Sequence, residues 1–151
     1  MSSLLRELDV TEIRRGLAET RRFLLSHHEP SEHYRCHAVR VRGRRVHLCA
    51  RCSGVYPGIA LGAVGHSLGP DAAVVLLLVG VLPLPALVDW AITSFTHRRG
   101  HNAVRTATGL LLGVGYGLGL MRLADGWNLA VVAIGLVYGA LAALLLAVDR
   151  S

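Results

Sequence analysis

Lysine is absent from this 151-residue chain, and cysteine and aromatic residues are scarce. All 16 basic residues are arginines, and 11 of them lie in residues 1–52, against six acids there (Glu7, Asp9, Glu12, Glu19, Glu29, Glu32). Only Phe23 and Tyr34 accompany that basic stretch. A nucleic-acid surface needs base-stacking aromatics among its charges, so no nucleic-acid partner is expected. Three cysteines cannot all pair with one another, which argues against a disulfide framework. No apolar h-region with a small-residue cleavage site opens the chain, so no secretory signal is expected. Charge on amphipathic helices also disappears after Cys52.

What replaces it is long runs of Ala, Val, Leu and Gly, more apolar than a soluble core of this size requires. Four apolar segments follow one another, at about 54–69, 72–95, 103–121 and 128–148. The first is short for the ~20 residues of a spanning helix, so its helix either begins among the cysteines or inserts only in part. The second carries Pro83 and Pro85, which remove backbone donors and predict a kink. Glycine or alanine recurs every fourth residue at Gly54, Gly58 and Gly62, at Gly109, Gly113 and Gly117, and at Gly135, Gly139 and Ala143. Small residues at that period let helices approach closely in lipid, which predicts a tight bundle and allows a homo-oligomer through the glycine faces.

The chain reads as an all-α membrane protein of about four transmembrane helices. Its organisation is an amphipathic helix over 1–30, a cytoplasmic Cys/His metal-knuckle module over 31–53, and a transmembrane bundle over 54–148. Over residues 3–27, Leu5, Leu8, Val10, Ile13, Leu17, Leu24 and Leu25 keep mostly helical spacing. Val39, Val41, Val46 and Leu48 alternate around Arg42-Gly43-Arg44, the pattern of a small hairpin turning near Gly43. Arginine crowds the first 52 residues and recurs at Arg98 and Arg99. The 69–71 connection has none, and Arg122 is balanced by Asp125. The positive-inside rule then places both termini in the cytoplasm of a multi-pass cell-membrane protein.

Cys36, Cys49 and Cys52 stand just before the first apolar segment. Thiolates and imidazoles are the usual ligands of tetrahedral zinc, which takes four. Cys49-x-x-Cys52 supplies two and Cys36 a third. On spacing His33 is the natural fourth, because His33-x-x-Cys36 mirrors Cys49-x-x-Cys52; His37 and His47 are alternatives. A thiol redox pair is the rival reading of the same residues.

A carboxylate inside an apolar span is costly, so Asp89 is expected to be paired or functional. It lies about 9 Å from the end of the second segment at 1.5 Å per residue. Arg105, one turn after Asn102, enters the third segment at comparable depth. A buried Asp89–Arg105 pair is therefore expected, with Asn102 completing a polar pocket. His66 falls near the opposite face, and His97 and His101 flank the cytoplasmic connection.

Cys36-His37, Cys49-Ala50-Arg51-Cys52-Ser53-Gly54-Val55-Tyr56, Asp89, and Asn102-x-x-Arg105-x-x-Thr108-Gly109 together resemble a domain-of-unknown-function family, DUF2085. Its members are small predicted prokaryotic membrane proteins. The resemblance covers roughly residues 33–115. The family has no assigned activity, so it implies a layout and no reaction. Its pairing of Cys with a following His implies His37 as the site residue, giving Cys36, His37, Cys49 and Cys52 as metal ligands with His33 as the alternative fourth. The short, arginine-rich insert between Cys36-His37 and Cys49 departs from the longer insert of bacterial members, and the Lys-free composition suits a GC-rich, archaeal genome. The expected cofactor is zinc, and the expected partners are the lipid bilayer and an amphipathic small molecule. Two rivals stand beside this reading: a metal- or thiol-dependent enzyme acting on a quinone or lipid phosphate, and an ion or metal transporter.

Overall fold

The computed structural model describes residues 12, 16, 28–41, 43–96 and 98–149. The helix expected over 3–27 lies outside the described residues, apart from Glu12 and Gly16, which are helical. The chain divides into two compact units, Met1–Cys49 and Ala50–Ser151.

In the first unit a short 3₁₀ turn, Pro30–Arg35, leads into β1 (Cys36–Val41), which pairs antiparallel with β2 (Arg44–Cys49). Gly43 takes the left-handed conformation (φ 78°) that the tight connection demands and that a side chain would resist. The register sets Cys36 against Cys49, Ala38 against His47 and Val39 against Val46. Side chains alternate across a strand. Cys36, Ala38, His47 and Cys49 therefore share one face, while His37, Val39, Val46 and Leu48 share the other.

The second unit contains five helices: α1 (Ala50–Ser67), α2 (Ala72–Val81), α3 (Leu84–Phe95), α4 (Asn102–Ala124) and α5 (Leu129–Asp149). Helix α1 starts at the residue after Cys49, so Cys52 stands in its first turn and not in the hairpin. Asp71 caps α2, its Oδ1 accepting from the Ala73 and Val74 amides at 2.8 and 3.4 Å. The expected kink falls at Leu82 and Pro83, between α2 and α3.

Helices α1 and α4 pack through glycine. A Cβ at Gly54 would meet the Thr106–Leu110 turn, one at Gly58 the Leu110–Val114 turn, and one at Gly62 the Val114–Leu118 turn. From the other side, Gly109, Gly113 and Gly117 lie against the carbonyls of Arg51, Val55 and Ile59. Both sets advance together along the chain, so the two helices run parallel with their backbones in contact. Polar contacts close both ends. Thr106 Oγ1 donates to the Ala50 carbonyl at 2.9 Å, and His66 pairs with Asp125 at 2.6 Å. The third small-residue stripe differs: a Cβ at Gly135 or Gly139 would meet nothing within 4 Å.

Val75, Val79, Leu118 and Val131 form a small apolar core among α2, α4 and α5. Among the described residues three helical segments are long and apolar enough to cross a bilayer: Ala72–Phe95, Asn102–Ala124 and Leu129–Val148. By length and composition this is one fewer than the four expected. Helix α1 gives its inner face to glycine, and that dilutes the apolar signal a span normally carries.

Candidate functional site

One cluster of polar groups in the helical unit lies at the end where α1 and α4 begin and α3 stops. Arg51, in the first turn of α1, donates through Nη2 to Asp89 Oδ2 of α3 at 2.5 Å. The expected Asp89–Arg105 pair is not formed; Arg51 takes the carboxylate instead. The parallel register explains the difference, because it brings the first turn of α1 to the level of the first turns of α4.

Arg105 is only 5% exposed and turns toward the α3–α4 connection. Its Nη1 donates to Asn102 Oδ1 at 3.1 Å, and its Nη2 donates to the Arg99 carbonyl. Gly100 has φ 66°, and a Cβ there would fall 2.8 Å from Thr93 Cγ2 and 3.1 Å from Arg105 Nη2. Asn102 and Arg105 thus come together as a brace for the connection. Asp89 belongs to a neighbouring pair. His101 lies exposed beside them, and His97 falls outside the described residues.

Two cavities adjoin the Arg51–Asp89 pair. A cleft of about 620 Å³ is lined by Asp89, Thr93, Arg98, Arg99, Gly100 and His101, among others. A larger groove of about 870 Å³ runs between α3, α4 and α5 and is almost wholly apolar. Arg51 and Trp90 line it, and Val79, Leu123 and Val131 belong to its far end. Arg51 faces the groove and Asp89 faces the cleft, so the ion pair is the partition between them. Arg51 Nε is buried without a hydrogen-bond partner. Among the described residues the other such atoms are His66 Nδ1 and Arg122 Nε. His66 itself lies at the opposite end of α1, as expected from its position.

In the hairpin unit Cys36 and Cys49 face each other across the ladder and are 6% and 4% exposed. His28 Nε2 lies 3.5 Å from Cys49 Sγ, and its Nδ1 lies 3.2 Å from Glu32 Oε2. His28 escaped the sequence reading because no short motif ties it to a cysteine; the 3₁₀ turn returns it to the strands. His33 stacks on His47, with ring centroids 4.0 Å apart. Strand alternation turns His37 to the face opposite Cys36 and Cys49, which removes the geometric basis for choosing it as their co-ligand. Among the described residues, no three His, Cys, Asp or Glu side chains are grouped as metal ligands.

A helical unit with three bilayer-length apolar segments, a glycine-packed helix pair and polar groups collected at its ends defines a multi-pass membrane protein. The family model described as "Predicted membrane protein (DUF2085)" matches residues 33–119, and the chain belongs to that family. No curated protein and no solved structure matches the chain.

Proposed function

We propose that this is a four-span membrane protein whose hairpin unit is a zinc-binding module on the cytoplasmic face. The observation that carries the reading is the Cys36–Cys49 pair, buried and directly opposed, with His28 Nε2 3.5 Å from Cys49 Sγ. Zn–S and Zn–N bonds of about 2.3 and 2.0 Å at a tetrahedral angle place two ligand atoms roughly 3.5 Å apart. Glu32 on Nδ1 is the carboxylate partner that ligating histidines commonly have. Cys52 is the remaining thiolate by its Cys49-x-x-Cys52 spacing alone. Metal binding contributes directly to the folding of a module too small to have its own core.

The fourth span in this reading is α1. Its 18 residues give about 27 Å of helix, close to the ~30 Å hydrocarbon thickness. It lies beside α4 from Ala50 to His66. Arginine density then sets the hairpin side and the C-terminus in the cytoplasm.

Elemental analysis of the purified protein tests the zinc reading. One zinc per chain is expected, lost in Cys36→Ser and strongly reduced in His28→Ala, but retained in His37→Ala. A zinc-free protein, or one whose zinc survives Cys36→Ser, refutes it. The register favours one second reading. Opposed residues of an antiparallel pair lie about 4.5–5.5 Å apart at Cα, within disulfide reach, so Cys36 and Cys49 can serve as a redox couple. A metal-free protein whose thiols become resistant to alkylation on mild oxidation would favour that alternative.

A further inference from the structure

We propose that the cleft at the α3–α4 connection binds a phosphate group, carried by an anionic phospholipid or free in solution. The inference is independent of the zinc reading. The helices that frame the cleft belong to the segments Ala72–Phe95 and Asn102–Ala124, both long and apolar enough to cross a bilayer. Residues 98–101, between those segments, therefore lie where hydrocarbon gives way to headgroups. Phosphate is the anion concentrated at that depth.

The lining sets the charge. Arg98, Arg99 and His101 come together in a cleft of about 620 Å³. All three are exposed, so an incoming ligand reaches them directly. Among the described lining residues the one acid is Asp89, and Arg51 already neutralises it at 2.5 Å. An anion therefore meets surplus positive charge. Guanidinium groups suit phosphate because their forked donors match its oxygens. The backbone that carries them is held: Gly100 turns it at φ 66°, and the buried Arg105 donates to the Arg99 carbonyl. A held backbone lowers the ordering cost of binding. Ile92 and Val104 line the same cleft, are 49% and 47% exposed, and offer apolar contact to a lipid's first acyl carbons.

Native mass spectrometry of the detergent-solubilised protein counts bound lipid. Phosphatidylglycerol is expected to give a saturable adduct of one lipid per chain. Phosphatidylcholine, whose phosphate is balanced by choline, should bind more weakly. Arg98→Gln should weaken the adduct about fivefold, and Arg98→Gln with Arg99→Gln about thirtyfold, the worth of one and two basic groups near an anionic surface. Both side chains are exposed and the Arg99 carbonyl survives substitution, so the fold is retained, which circular dichroism checks. Arg40→Gln with Arg45→Gln removes the same charge from the exposed hairpin and should leave the affinity unchanged.

Inorganic phosphate, at matched ionic strength, separates the two sources. A phosphate-dependent rise in the unfolding midpoint, abolished by Arg98→Gln with Arg99→Gln, assigns the free ion. A lipid adduct without such a rise assigns the lipid-borne group. Equal affinity for phosphatidylcholine, equal loss in the hairpin variant, or equal displacement by oleate overturns the proposal. So does an affinity that the Arg98 and Arg99 substitutions leave unchanged, or the absence of both the adduct and the midpoint rise.

Discussion

Replacing Gly58 by alanine tests the α1–α4 contact at its centre. The new methyl carbon would fall against the Leu110 carbonyl oxygen, 2.9 Å from the Gly113 Cα and 3.0 Å from the Val114 amide nitrogen. All three are backbone atoms, so no side chain can rotate away, and the helices must separate by roughly an ångström at van der Waals distances. Overpacking of this kind costs about 1–3 kcal/mol. Alanine returns up to ~1 kcal/mol through helix propensity. Separation also loosens the neighbouring contacts at Gly54, Gly62, Gly109 and Gly117, so the net loss should fall near 1–2 kcal/mol. Adding Gly113→Ala should cost less than its single-site value, because the first substitution has already opened the same seam. Gly135→Ala is the control, since its Cβ meets nothing within 4 Å and should be neutral or slightly stabilising. Denaturation in mixed SDS micelles, followed by circular dichroism, compares the wild type, the three single variants and the double variant. Equal stabilities of Gly58→Ala and Gly135→Ala would refute the packing argument.

Three further outcomes follow from the geometry, besides the zinc measurements. Arg51→Gln or Asp89→Asn alone should cost about 2–4 kcal/mol by leaving one partner of a partly buried pair unmatched, whereas Arg51→Met with Asp89→Leu should recover most of that loss; a double-mutant cycle in the same denaturation assay decides. If α1 is a span, a reporter at the C-terminus and a cysteine placed at Gly43 should be accessible from the same membrane side, and opposite sides would leave three spans. Gly100→Ala should destabilise by about 1–2 kcal/mol, since it forces a side chain into left-handed backbone and against the Arg105 guanidinium; protease sensitivity of the 96–101 connection reads the change locally.

The long apolar segments were legible because their information is local. Their composition marks a bilayer, Pro83 marks the α2–α3 break, and alternating Val39, Val41, Val46 and Leu48 mark the hairpin around Gly43. The partner of Asp89 was not legible from depth alone. Depth places both Arg51 and Arg105 within reach, and only the side-by-side register of α1 and α4 separates them. The matching four-residue periods at Gly54, Gly58 and Gly62 and at Gly109, Gly113 and Gly117 carried a hint of that register, read only as close packing. His28 left no comparable signal, because it reaches Cys49 from 21 residues away through a 3₁₀ turn.

The two helix pairings differ in kind, and that difference locates rigidity. Helices α1 and α4 meet backbone to backbone, so neither can slide without breaking several carbonyl contacts at once. They fix Arg51, Asn102 and Arg105 relative to one another. Helix α5 makes few such contacts: its glycines face open space, and among the described residues Val131 is its one buried apolar residue. Sparse burial marks the low-stability end of a fold. The groove is therefore bounded on one side by a fixed wall carrying Arg51 and on the other by the helix best able to move.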